Sequence, residues 1–270
     1  MSNETKGAAL ITGASAGIGA AYADRLARRG YDLLLAARDE ARLEALAVRL
    51  RAETGVKVEV LQTDLTDKGS LGRLEARLRS DDAITLLVNN AGAASFGAFV
   101  ESDADKLEGL IDLNVVAVTR LANAAGAAFV KRGRGTIVNV GSVVGLLPEY
   151  RSVVYGATKA FVLYLTQALN EEIGGAGVKL QAVLPGATRT EIWERSGRNP
   201  ADLDPDRTMN VEELVDAALA GLDRGELVTI PSLLEPAQWD AFQTARLAMA
   251  PNLSNAHPAP RYGVRVAEPA

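Results

Sequence analysis

Short apolar runs alternate with longer stretches in which apolar residues recur at helical spacing, as far as about residue 230. The runs at 8–12, 31–37, 56–61, 84–89, 135–140, 179–184 and 227–230 are rich in Val, Ile, Leu and Ala. Such runs are expected of strands buried on both faces. Between them, 17–29, 40–53, 68–79, 104–131, 153–173 and 211–222 carry apolar side chains every three to four positions; in 40–53 these are Leu43, Leu46, Ala47 and Leu50. The alternation predicts an α/β fold, a doubly wound, seven-stranded parallel sheet with helices on both faces. No linker or repeat interrupts it, so 1–250 is read as one catalytic domain. Residues 189–208, polar and Pro-containing, read as a flexible cap over a site. Residues 251–270, with four prolines, read as a C-terminal tail, with packing on a neighbouring subunit one option.

Composition narrows the chemistry. The chain has 270 residues, 48% hydrophobic but only 5% aromatic, so its core must rest on closely packed Ala, Val and Leu. A net charge of −5 provides no footprint for nucleic acid or anionic membranes. With no cysteine, disulfides, thiolate metal sites and thiol nucleophiles are excluded; the single histidine, His257, lies in the Pro-rich tail, and no metal site is expected. No uninterrupted apolar stretch approaches a membrane span, and 1–6 lacks the apolar run of a signal peptide. The expectation is a soluble, cytoplasmic protein without membrane or nucleic-acid partners.

The first strand runs into Thr12-Gly13-Ala14-Ser15-Ala16-Gly17-Ile18-Gly19 at the start of the first helix. Glycines there let the backbone turn tightly and approach a pyrophosphate at the helix N-terminus, the arrangement of a Rossmann-type fold. The spacing is Gly-x3-Gly-x-Gly rather than Gly-x-Gly-x2-Gly. The second strand ends Ala36-Ala37-Arg38-Asp39, with no carboxylate at the strand end. An arginine there accommodates a 2′-phosphate, so NADP(H) is favoured, with NAD(H) the alternative. Two readings of Asp39 stand, a helix cap and a ribose ligand.

Tyr155 and Lys159 are four residues apart, with Ser142 thirteen positions before the tyrosine. On a helix, phenol and ammonium emerge from one face, and the cation draws the phenol's pKa of about 10 towards the working range. Taken alone, the spacing more often describes a half-buried tyrosine beside a solvated lysine.

Together the glycine loop, Asn89-Asn90-Ala91-Gly92, Leu113-Asn114-Val115, Ser142, Tyr155-x3-Lys159 and Pro185-Gly186 resemble the short-chain dehydrogenase/reductase family, over roughly 6–230. The resemblance implies that Tyr155 is the general acid or base and that Ser142 orients the substrate oxygen. It further implies that Lys159 binds the nicotinamide ribose and that Asn114 holds a water linking Lys159 to solvent. It assigns cofactor contacts to Gly13, Ser15, Gly17, Ile18, Gly19, Asp64, Leu65, Asn90, Ala91, Gly92, Pro185, Gly186, Thr188 and Thr190, besides Arg38, Tyr155 and Lys159. The function implied is NADP(H)-dependent interconversion of a carbonyl and a secondary alcohol. The alternative is a catalytically silent NADP(H)-binding regulator, for which the intact tetrad has no use. An epimerase of the extended fold would need more chain after the sixth strand.

Candidate substrate residues are Val144 and Tyr150 after Ser142, Ala94 to Phe96, and Ile192 and Trp193 in the cap. Most are apolar, pointing to a small or medium apolar carbonyl or alcohol; packing of Ile192 and Trp193 onto the sheet is the competing reading. The helices at 104–131 and 153–173 are rich in small residues. In the family the equivalent helices form subunit interfaces, which implies a homodimer or homotetramer.

Overall fold

Seven strands form one sheet: β1 (Ala8–Thr12), β2 (Asp32–Ala37), β3 (Val58–Gln62), β4 (Ile84–Asn89), β5 (Gly135–Val140), β6 (Val178–Val183) and β7 (Val228–Thr229). Their order is β3-β2-β1-β4-β5-β6-β7, and every neighbouring pair is parallel. The computed structural model describes residues 6–197 and 199–264. Residues 1–5 of the polar start, Arg198 of the expected cap and 265–270 of the tail lie outside the described residues.

The helices are α1 (Gly17–Arg28), α2 (Glu40–Thr54), α3 (Lys68–Ser80), α4 (Ala104–Ile111), α5 (Val118–Arg132), α6 (Val153–Ile173), α7 (Ile192–Arg195), α8 (Val211–Asp223) and α9 (Pro236–Ala248). Side chains alternate across each strand, so one strand feeds two cores. In β2, Leu33 and Leu35 join Leu26, Leu43, Leu50 and Leu214 beneath α1, α2 and α8. Leu34 and Ala36 join Leu71, Leu78, Leu121 and Phe129 beneath α3 and α5. Both faces are covered, as the continuous apolar strands require.

The single helix expected over 104–131 is interrupted. Asp112–Ala117 is a π-helical segment between α4 and α5, and Asn114 lies in it. Such widened turns are rare and often mark functional sites. Among the described residues, one helical run, Ala104–Arg132, is long and apolar enough to cross a membrane. It includes Leu121, Ala124, Ala125 and Phe129 of the second core, which makes it a core helix of the fold.

The chain divides into two compact units, Met1–Ser232 and Leu233–Ala270. The first contains the whole sheet. The second contains α9, an element the sequence pattern did not predict, in which no residue is buried. Within it the Trp239 and Phe242 rings meet at 5.5 Å.

Strand order reverses at β1, which has β2 on one side and β4 on the other. In doubly wound sheets the crevice outside the strand C-termini at such a point receives ligands. The glycine loop follows β1, Asn90 to Gly92 follow β4, Ser142 follows β5 and Pro185 follows β6.

Candidate active site

The glycine loop is built to approach something closely. Gly17 has φ +53°, a left-handed conformation that a side chain strains, and a Cβ there would lie 3.2 Å from Thr190 Cγ2. A Cβ on Gly19 would lie 2.3 Å from the Gly13 carbonyl oxygen. Gly19→Ala should therefore push the loop off α1 at a cost of roughly 1–3 kcal/mol. Thermal melting with and without NADPH should record both a lower Tm and a smaller cofactor-induced rise; unchanged values in both would contradict this packing.

Thr12 bolts the loop to β4. Its Oγ1 accepts from the N–H groups of Asn90 and Ala91, both at 3.0 Å, and donates to Val88 O at 3.3 Å. The Asn90 amide donates to Thr12 O (2.9 Å) and Gly13 O (3.3 Å). That side chain is thus committed to shaping the loop.

At its start, α1 has no side-chain cap on Ala16 and no acidic residue in the first turn. Its free N–H groups and dipole therefore suit an anion. Around the end of β2, Asp39 accepts from Arg42 N at 3.0 Å and lies 3.4 Å from the Arg42 guanidinium. Asp39 thus caps α2. Arg42, Arg49 and Arg51 all have carboxylate partners. Among the described residues Arg38 has no ion pair, and its side chain is exposed. Asp64 accepts from Thr66 N (2.9 Å) and Oγ1 (2.7 Å), which holds its carboxyl below the usual range, with a smaller contribution from Arg38. Leu65 is buried in the second core, leaving its main chain for any ligand. An uncapped helix start, a Cβ-free cradle and an uncommitted arginine fit a dinucleotide carrying a 2′-phosphate. Ser15 and Ile18 complete the loop, with Ile18 packed against the first core.

Asn114, Ser142, Tyr155 and Lys159 converge. Lys159 is buried; its Nζ donates to Val140 O at 2.9 Å and stands 5.7 Å from the centre of the Tyr155 ring. Ser142 Oγ donates to Pro185 O at 3.3 Å and accepts from Val144 N at 3.3 Å. Asn114 Nδ2 donates to Ala93 O (2.9 Å) and Thr158 Oγ1 (3.1 Å), while its Oδ1 accepts from Ala93 N (3.0 Å). Thr158 Oγ1 donates in turn to Tyr155 O at 2.8 Å. Thr158, in the same helix turn as Tyr155 and Lys159, is a positioning residue that the sequence reading passed over. A Cβ on Gly92 would sit 3.2 Å from Asn114 Oδ1 and 3.4 Å from Lys159 Nζ, so Gly92 leaves the floor of the site open above both.

The electrostatics depart from the expectation for the phenol. Burial pushes the Tyr155 phenol up to about 12, and the neighbouring Ser142 hydroxyl offsets only part of this. Burial also draws Lys159 down to about 8. Helical spacing captures the neighbouring cation but not the low dielectric around the pair, and here the low dielectric dominates. The protein alone therefore keeps Tyr155 protonated and leaves Lys159 a cation near neutrality.

Beyond β6, Thr188 Oγ1 donates to Gly186 O at 3.0 Å. The two ends of the cap are zipped together: Arg189 N donates to Met209 O (3.0 Å) and Met209 N to Ala187 O (2.9 Å). Glu191 pairs with Arg42 of α2 (2.8 Å) and with Arg195 (2.6 Å). The described part of the segment read as a cap, 189–208, contains α7 and two 3-10 turns. Of the candidate substrate residues, Trp193 stacks on Phe96, which meets the Tyr155 ring. Val144 is partly buried beside Ser142, whereas Tyr150 is 53% exposed and makes no ring contact among the described residues. A cavity of about 980 Å³ lies between α1 and the cap, walled by Gly17, Thr190 and Trp193 and by the ion-paired Asp24, Arg25 and Arg49. Ser142, Tyr155 and Lys159 do not line it. Among the described residues no His, Asp or Glu cluster could hold a metal ion.

A short chain dehydrogenase family model matches residues 7–201. The chain is 31% identical to an uncharacterized oxidoreductase of Staphylococcus saprophyticus, over 82% of this chain and 93% of that one. It is similar to a short-chain dehydrogenase from Sphingobium yanoikuyae solved in complex with NADPH (55% identity, TM-score 0.93, 95% of this chain and 99% of the other). It is also similar to a bulky-bulky ketone specific alcohol dehydrogenase from Comamonas testosteroni (50% identity, TM-score 0.88, 95% and 98%). With this match, this sheet order and these motifs at the strand ends, the chain belongs to the short-chain dehydrogenase family.

Proposed function

We propose that the protein is an NADP(H)-dependent oxidoreductase that interconverts a bulky ketone and its secondary alcohol. The observation that carries this reading is the convergence of Tyr155, Ser142 and the buried Lys159 beside the glycine loop. The relatives solved with NADPH and named for bulky ketones support it.

The cofactor's pyrophosphate would rest on Gly13 to Gly19, its 2′-phosphate on Arg38 and its nicotinamide half along Gly92, Lys159 and Pro185 to Thr190. When bound, it supplies the hydride for the carbonyl carbon. Ser142 and Tyr155 then hydrogen-bond the carbonyl oxygen, where negative charge develops. Tyr155 donates its proton to that oxygen, and the Lys159 cation stabilises the phenolate left behind. In alcohol oxidation the same groups act in reverse. Both protons of the Asn114 amide are engaged, so the main chain of its π-helical turn is the better candidate to hold a water leading to Lys159.

For the free enzyme, reduction requires Tyr155 protonated, which holds below about 12, and Lys159 charged, which holds below about 8. The kcat/KM for NADPH, which reports free-enzyme ionisations, should be level near neutrality and fall as pH rises through about 8. A profile level to pH 10 would contradict the role of the lysine.

Arg38→Ala should weaken NADPH roughly ten- to a hundredfold by removing a charge-assisted phosphate contact. NADH affinity should stay within about twofold, because NADH lacks that phosphate. Calorimetric titration with both cofactors distinguishes the outcomes, and equal losses would refute the 2′-phosphate role.

We also propose assembly as a homodimer or homotetramer in the cytoplasm. Exposed Ile111, Val116 and Val130 on the Ala104–Arg132 run, and Val153 and Tyr164 on α6, support a subunit interface there.

A further inference from the structure

We propose that Phe96 and Trp193 form a ring-binding subsite that holds an aryl substituent of the ketone beside Tyr155. The inference rests on the reductase reading above and specifies its substrate class: ketones with a flat aromatic group on one side of the carbonyl.

In a chain with only 5% aromatic residues, three rings, the reacting phenol included, join in one series of contacts. Phe96 comes from the loop after β4 and Trp193 from α7 in the cap. Their rings lie 5.6 Å apart and within 10° of parallel. The Phe96 ring also meets the Tyr155 ring edge-on, at 6.3 Å and 63°. An aromatic wall therefore runs without a break from the proton donor to the cap.

Trp193 is held firmly. Its indole N–H donates to Thr188 O at 2.7 Å, and Ser196 Oγ donates to its carbonyl at 2.8 Å. Thr188 is buried and bridges to Met209 at the base of the cap. The polar end of the indole is thus satisfied within the protein, so the ring surface beyond its contact with Phe96 can meet another ring. Both Phe96 and Trp193 are only partly buried. A carbonyl oxygen hydrogen-bonded to Ser142 and Tyr155 would, on this proposal, lay one substituent along this wall.

If the stack only fastened the cap to the loop, weakening it would impair every ketone alike. A subsite makes the loss depend on the substrate. Propiophenone and cyclohexyl ethyl ketone have the same skeleton and differ in the flat ring. The kcat/KM ratio of the first to the second should fall roughly two- to tenfold from wild type to Trp193→Leu, and likewise to Phe96→Leu. An unchanged ratio in both variants overturns the proposal, even if overall activity drops.

A second readout does not depend on turnover. Trp193 and Trp239 are the two tryptophans of the chain, so Trp239→Phe leaves Trp193 as the sole indole reporter. Propiophenone should change its emission with a saturable dependence, and cyclohexyl ethyl ketone should need several times the concentration. Linear or identical responses to the two ketones overturn the subsite. Saturable, aryl-selective binding without turnover of either ketone would sustain it while refuting the reductase reading.

Discussion

Tyr155→Phe is expected to lower ketone reduction roughly 10²–10⁴-fold, the contribution typical of a positioned general acid, while NADPH affinity stays within about threefold. The substitution removes one oxygen and keeps the ring, so the edge-on contact with Phe96 persists. What disappears is the proton that burial keeps on the phenol. Nothing equivalent replaces it. Ser142 can still turn its one proton from Pro185 O to the substrate oxygen, but an aliphatic hydroxyl is a far weaker acid than a phenol and does not release that proton near neutrality. Steady-state kinetics with parallel calorimetric NADPH titration tests this. A variant with wild-type turnover would remove Tyr155 from the mechanism, whereas loss of cofactor binding would make it a structural residue.

Much of this site is legible in the sequence because motif order follows strand order. The glycine loop, Asn90 to Gly92, Ser142 and Pro185 each follow an apolar run, and in a parallel sheet all those ends lie on one side. The features that escaped are of three kinds. The π-helical turn at Asn114 displaces backbone bonds while nearly preserving the apolar spacing. The helix α9 buries no residue, so it has no inward face for a pattern to reveal. The Phe96–Trp193 stack joins residues 97 positions apart, and no local rule pairs them. The phenol's pKa was misjudged for a related reason: Lys159 is visible at helical spacing, but burial belongs to the folded protein.

Lys159→Met is expected to abolish most activity and yet raise the melting temperature. A lysine normally titrating near 10.5 is drawn to about 8 by burial, so the folded state bears a cost for keeping it charged. The sign follows from linkage. Below about pH 8 both folded and unfolded chains hold the proton, and the cost is fully present. Between about 8 and 10.5 the folded state releases its proton first, so stability rises with pH. The shift corresponds to roughly 3 kcal/mol. Methionine fills a similar volume without charge but leaves Val140 O unpaired, at a cost of about 1–3 kcal/mol. The net gain should lie between about 0 and 2 kcal/mol, or up to several degrees in Tm for a protein of this size. Wild type should also gain stability from pH 8 to 10 relative to the variant, which lacks this titration. Differential scanning calorimetry at both pH values tests the account; a variant inactive and clearly less stable would mean that Lys159 holds the fold together.

The proposed reaction moves a hydride from NADPH to a ketone carbon and a proton from Tyr155 to its oxygen. Its most direct test is incubation of the purified enzyme with propiophenone and NADPH deuterated at the transferable position of the nicotinamide, followed by mass spectrometry of the alcohol. The account predicts one deuterium on the carbinol carbon, with the hydroxyl proton drawn from solvent. Alcohol without deuterium at that carbon, or no alcohol from this or any other bulky ketone, would contradict it.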